Sequence, residues 1–128
     1  MLKKLSFLLY RKKLFKMHIK NTTKKTLISK NAKPCRNIYS KTIGLMFSIE
    51  KSLIFIFERE KIVPLHMFFV FYPIDVLFLD KNKIVVEIKE NFKPFTFYTP
   101  RKKARYIIEV PDGIIKKTKT EIGYTINF

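Results

Sequence analysis

The chain has no tryptophan, no glutamine, one cysteine, two histidines and three glycines, and its first 49 residues carry no acidic side chain. Each scarcity excludes something. A lone cysteine, Cys35, cannot close a disulfide within the chain, so a disulfide-stapled scaffold is ruled out and a reducing cytoplasm is the expected compartment. With two histidines, His18 and His66, far apart and no cysteine at ligand spacing, no zinc motif can be assembled. Three scattered glycines leave no phosphate loop, no dinucleotide fingerprint and no Gly/Ser linker. An apolar stretch over residues 62–79 is interrupted by Pro64, His66, Pro73 and Asp75. An Asp near the centre of a spanning helix costs about 2.5–3.5 kcal/mol and two prolines break such a helix, so no transmembrane segment is expected.

What is present points to one folded domain. Of the 128 residues, 47% are apolar and 15% aromatic, enough to bury roughly two-thirds of the unfolded surface and to exclude disorder over most of the length. The net charge of +17 is unevenly placed: residues 1–49 hold thirteen bases, whereas residues 50–128 set fourteen bases against ten acids. Abundant lysine with no glutamine is a bias of proteins from hot environments, although an AT-rich genome produces it too. Residues 1–16, MLKKLSFLLYRKKLFK, have an apolar core too short for a secretory signal. They are open to three readings: an amphipathic surface-binding segment, a disordered basic tail, or an extension upstream of a start at Met17. The third is favoured, because the pattern of a folded domain begins only after Met17; the domain is accordingly set at 17–128, with a charge of +11.

The chain then reads as short strands. Residues 18–29 suit an edge strand or a hairpin, and 37–47 a short helix or turn. Residues 53–57 form a strand that the charged tetrad Glu58-Arg59-Glu60-Lys61 should stop. Residues 66–80 read as two fully buried strands broken by one turn, followed by a hairpin turn over 80–83 and a strand over 84–88. Residues 91–100 are a Pro-punctuated aromatic loop lying across the core. A strand over 106–110 closes at Pro111-Asp112-Gly113, a strong turn signal; a turn or helix over 118–122 and a last strand over 124–128 follow. The expected fold is mostly β, a small antiparallel sandwich or barrel-like domain with one or two short helices, with α+β as the alternative.

Three blocks carry a family resemblance: Ile43-Gly44-Leu45-Met46-Phe47, residues 66–80 with Pro73-Ile74-Asp75-Val76-Leu77-Phe78-Leu79-Asp80 at their end, and residues 104–113 with Ala104-Arg105-Tyr106 and Pro111-Asp112-Gly113. In that order they resemble the archaeal branch of domain of unknown function 192 (UPF0127-type proteins), over about residues 17–128. The resemblance implies a small β-rich domain and no activity. Where bacterial members carry a polar Lys-Asn-Thr stretch, this chain has Phe68-Phe69-Val70-Phe71.

Asp75 is the outstanding polar residue, a carboxylate inside an apolar strand, and such a charge is costly unless held. It reads either as a ligand carboxylate or as a structural anchor, held by backbone donors or paired with Arg105, with His66 the third member of a candidate cluster. Paired carboxylates at a useful spacing are missing: Glu58 with Glu60 and Glu87 with Glu90 look solvated. No catalytic residue, metal or cofactor is therefore expected, and an enzyme is disfavoured. Arg101, Lys102 and Lys103, preceded by Phe95, Phe97 and Tyr98, could neutralise phosphates and stack on bases, or be a solvated Lys-rich face. The expected function is a non-catalytic binding module for a small ligand or protein partner near Asp75, Arg105 and residues 92–98; the alternative is weak binding of nucleic acid or an anionic surface by loop 101–105 and the basic N-terminal third.

Overall fold

A computed structural model describes residues 17–35, 52–68 and 70–128; the element expected over 37–47 and the basic segment 1–16 lie outside them. The strands are β1 (Met17–Asn21), β2 (Thr26–Cys35), β3 (Leu53–Lys61), β4 (Leu65–His66), β5 (Ile74–Leu79), β6 (Val85–Phe92), β7 (Phe97–Tyr98), β8 (Ala104–Pro111) and β9 (Ile126–Asn127), with one helix, α1 (Ile114–Thr118). Seven strands form one sheet in the order β6-β5-β8-β3-β2-β1-β9, and β4 with β7 forms a separate two-stranded ribbon. All neighbours in the large sheet are antiparallel except β2 and β3. The two ends of the sheet meet: Val85 and Ile126 donate to the carbonyls of Tyr124 and Lys83, and Gly123 donates to that of Val85. The sheet thus curls into a half-barrel, and the mostly-β expectation is met.

Both faces of the sheet are apolar. Ile19, Ile28, Ile54, Leu77, Val85, Ile108 and Ile126, one from each strand, fill the inside of the curl. Phe55, Val76, Phe78, Phe92 and Ile107 point outward and are roofed by Leu65, Met67 and Tyr98 of the ribbon. A strand buried on both faces reads as a continuous apolar run rather than an alternation. That describes β5, whose six residues are all buried.

Several boundaries move. The tetrad 58–61 does not stop β3, which runs on through it; residues 57–60 form an irregularity opposite Arg105 that leaves Glu58 and Arg59 exposed, and Lys61 resumes the pairing with Ala104. The first half of 66–80 is not a buried strand: only Leu65–His66 is extended, and His66, Phe68 and Phe71 are exposed. Strand β6 continues to Phe92, into the stretch expected to be loop. The turn over 80–83 is present, tied by Asp80 Oδ1 accepting from the N–H groups of Asn82 (2.8 Å) and Ile84 (3.0 Å). Helix α1 begins immediately after the Pro111-Asp112-Gly113 turn, earlier than expected, with Gly113 at φ 90° as its N-cap.

That left-handed cap is a place where glycine is required. A Cβ there would touch nothing within 4 Å, so Gly113→Ala isolates the backbone cost. It should lower stability by roughly 1–2 kcal/mol, read as a shift in the guanidinium midpoint; a shift of only a few tenths would show that the turn relaxes around a side chain.

Candidate functional site

Asp75 is 1% exposed, and its carboxylate is held by backbone. Oδ1 accepts from the Asn91 N–H (3.0 Å), and Oδ2 from those of Gly113 (3.0 Å) and Ile115 (3.1 Å). The register explains the first contact. Ile74 pairs with Phe92 but Val76 with Lys89, so Glu90 and Asn91 stand opposite the single residue Asp75 in a β-bulge, and Asn91 turns to φ 48°. Burial, the largest influence, pushes the Asp75 carboxyl above its ordinary value; Asp112 pushes the same way, and the N–H groups of Asn91 and Ile115 pull it back.

The expected pairing with Arg105 does not form. Asp75 sits directly opposite Val110, so Arg105 is five residues further along β8, about 16 Å at strand rise, and an odd offset places it on the other face of the sheet. Its guanidinium lies 5.9 Å from the Tyr106 ring. His66 joins neither: it is exposed, on the ribbon. The three residues of the candidate cluster thus occupy three separate places.

A second buried carboxylate escaped the sequence reading. Glu109 is 2% exposed and stands between Leu53 and Val76 in register, on the outward face. Tyr72 registers it: burial first, and then the Glu109 charge, raise the Tyr72 hydroxyl above its ordinary value. The signal was the same as for Asp75, a lone acid inside Ile107-Ile108-Glu109-Val110. Among the described residues no group of three or more His, Cys, Asp or Glu could hold a metal ion.

The ribbon presents an aromatic face. His66 pairs with Phe97 across β4 and β7, and alternation sends Leu65, Met67 and Tyr98 inward while His66, Phe68 and Phe97 face out. Phe68 contacts both neighbours, with ring centroids 5.1 Å from His66 and 4.8 Å from Phe97. The Phe68 N–H also donates to His66 Nδ1 (3.4 Å). Phe71 and Phe95 meet edge to face at 5.5 Å in the adjoining turns. Exposure runs from 41% for Phe68 to 73% for Phe71.

Tyr98 is not part of that face. Its ring packs against Phe78 and Phe92, and its hydroxyl donates to Glu87; burial, and then that carboxylate, push it up to about 12. Glu87, which looked solvated in the sequence, also accepts from the backbone N–H groups of Arg101 (2.9 Å) and Lys102 (3.0 Å). One carboxylate therefore fastens the ribbon to the start of the basic loop, while Arg101, Lys102 and Lys103 keep exposed side chains.

With this geometry in view, comparison with known proteins is informative. The model of DUF192, described as "Uncharacterized ACR", matches residues 17–128. The chain belongs to this family. A UPF0127 protein of Thermococcus sibiricus is 36% identical over 112 residues, 84% of this chain and 72% of its own length. One of Pyrococcus furiosus is 37% identical over 106 residues, 80% of this chain and 90% of its own length. These are archaeal, thermophilic relatives, in keeping with the composition. The fold is shared with the crystal structure of a protein of unknown function from Novosphingobium aromaticivorans, at TM-score 0.74 and 18% identity, over 87% of this chain and 82% of that one. The family is uncharacterised, and none of these relatives brings an activity with it.

Asp75→Ala would strand three backbone N–H donors, that of Ile115 buried and those of Asn91 and Gly113 partly so, and stability should fall by roughly 1–3 kcal/mol; an unchanged guanidinium midpoint would exclude the anchoring role. The pH dependence has a definite sign. A folded-state carboxyl raised above its unfolded value binds its proton more tightly in the native state, so its contribution is fully present below about pH 3.9 and is lost as pH rises through the folded value. Asp75→Asn removes that dependence. The stability of the parent relative to Asp75→Asn should therefore decline from acid toward neutral pH, and a rise would reverse the assignment.

Proposed function

We propose that this protein is a non-catalytic binding module and that its contact surface is the outer face of the β4–β7 ribbon. The observation that carries this is the grouping of Phe68, Phe71, Phe95 and Phe97, each 41% or more exposed, with His66 among them. Single exposed apolar side chains are ordinary, whereas contiguous patches mark interaction sites. Asp75 supports the same conclusion by subtraction, since three backbone donors already engage its oxygens. Of the region first expected to bind, residues 92–98 are kept and Asp75 and Arg105 are set aside.

Among the described residues no helix is long and apolar enough to cross a membrane. We place the module in the cytoplasm, the compartment that suits a sequence whose single cysteine, Cys35, can close no disulfide within the chain.

The test is amide hydrogen exchange on the full chain with three probes in turn: a short single-stranded RNA, anionic lipid vesicles and an acidic peptide. At least one should protect amides within 65–68 and 95–98, and Phe68→Ser with Phe97→Ser should abolish that protection while leaving the guanidinium midpoint within about 0.5 kcal/mol of the parent, as surface changes do. Protection centred on Asp75, or no footprint with any probe, would refute the reading.

A further inference from the structure

We infer that the outer face of the ribbon binds single-stranded nucleic acid, an inference that rests on the ribbon being the contact surface. Its rings project from one face of a two-stranded ribbon whose other face is buried in the core. Aromatic side chains standing on extended backbone form a platform on which unpaired bases stack without regard to sequence, each base worth roughly five- to a hundredfold in affinity. Histidine and phenylalanine both serve as such platforms.

The phosphates have partners close by. The chain leaves β7 at Tyr98 and within a few residues enters the exposed Arg101-Lys102-Lys103 loop. That loop is not free to drift, because Glu87 grips the backbone of Arg101 and Lys102 and the hydroxyl of Tyr98 at once. Lys61 lies beside it, paired in register with Ala104. Aromatic ribbon and basic loop are thus neighbours along the chain, fastened to one another by a shared carboxylate.

Charge selects among occupants. A second copy of a chain carrying +17 would bring two basic loops together, and like charges at a contact oppose docking. A lipid surface satisfies the charge but has to admit His66 and the backbone of the ribbon together with the rings. A single strand needs only ring faces and cations. A duplex, whose bases are already stacked on each other, offers the rings nothing, and that separates this inference from charge attraction alone.

The experiment is fluorescence anisotropy of the full chain with a labelled oligouridylate about twelve nucleotides long, a duplex of equal length, and anionic phosphatidylglycerol vesicles, across a salt series. The single strand should bind about tenfold or more tightly than the duplex. Phe68→Ser with Phe97→Ser should weaken the single strand by at least about tenfold and leave the duplex unchanged. Lys102→Ser with Lys103→Ser should lower the salt slope on the single strand by about 1.4, two phosphates at roughly 0.7 each.

Equal affinity for duplex and single strand, or an aromatic variant that binds the oligouridylate as the parent does, overturns the inference. Ring-dependent capture by vesicles without ring-dependent RNA binding overturns it too and leaves the contact surface standing; no ring dependence with any probe removes both. Should the aromatic pair fail to fold, thiouridine photo-crosslinking to the unmodified chain decides: adducts within 65–71 or 95–98 support the inference, and adducts elsewhere overturn it.

Discussion

The carboxylate of Asp75 ties three parts of the chain to one point. From the start of β5 it reaches the end of β6 through Asn91, and the turn and first residues of α1 through Gly113 and Ile115. Burying a carboxylate costs several kcal/mol unless hydrogen bonds replace the lost water, and three N–H groups offset much of that. The arrangement also has a geometric result. The bulge opposite Asp75 sets the direction in which β6 leaves the sheet, and the next residues, 93–96, form the turn that starts the ribbon. The anchor that looked like a ligand site in the sequence thus acts on the proposed contact surface at a distance, by aiming the backbone that leads into it.

A second bulge extends the same logic. Leu79 pairs with Val85 and Phe78 with Glu87, so Val86 is the extra residue and Glu87 is brought onto the outward face beside Tyr98. Without that insertion strict alternation would point Glu87 away from the ribbon. In both places one additional residue in β6 converts a carboxylate from a liability into a clamp, one on the strand and one on the loop.

The limits of the sequence follow from these same features. Strand β5 and the turns at 80–83 and 111–113 were legible because they rest on local chemistry: a continuous apolar run, an Asp accepting from its own turn, a glycine at positive φ. The pairing of Asp75 with Arg105 was not decidable, because two charges in different strands meet only if register and face agree, and neither is written in either strand alone. Residues 58–61 misled because charge looks like a turn, whereas a local irregularity in the pairing exposes Glu58 and Arg59 without ending the strand. Phe68 and Phe71 misled most, since hydrophobicity records what a side chain would gain from burial and not whether the fold supplies it. Tyr98 was expected at the surface with Phe95 and Phe97, whereas alternation along the ribbon turns Tyr98 toward Phe78 and Phe92 and leaves Phe97 exposed.

The exposed rings and the charge are best understood together. Relatives of this chain come from Thermococcus and Pyrococcus, and in protein from such sources exposed apolar surface still associates strongly when hot. Four phenylalanines in one patch would drive copies together unless something opposed it. A net charge of +17 does so, because like-charged copies repel one another as they approach. The same charge draws a polyanion in, so repulsion from self and attraction to a partner arise from one distribution. If the ribbon binds as proposed, the lysines of loop 101–103 matter less as individual contacts than as part of the charge that keeps an aromatic platform uncovered.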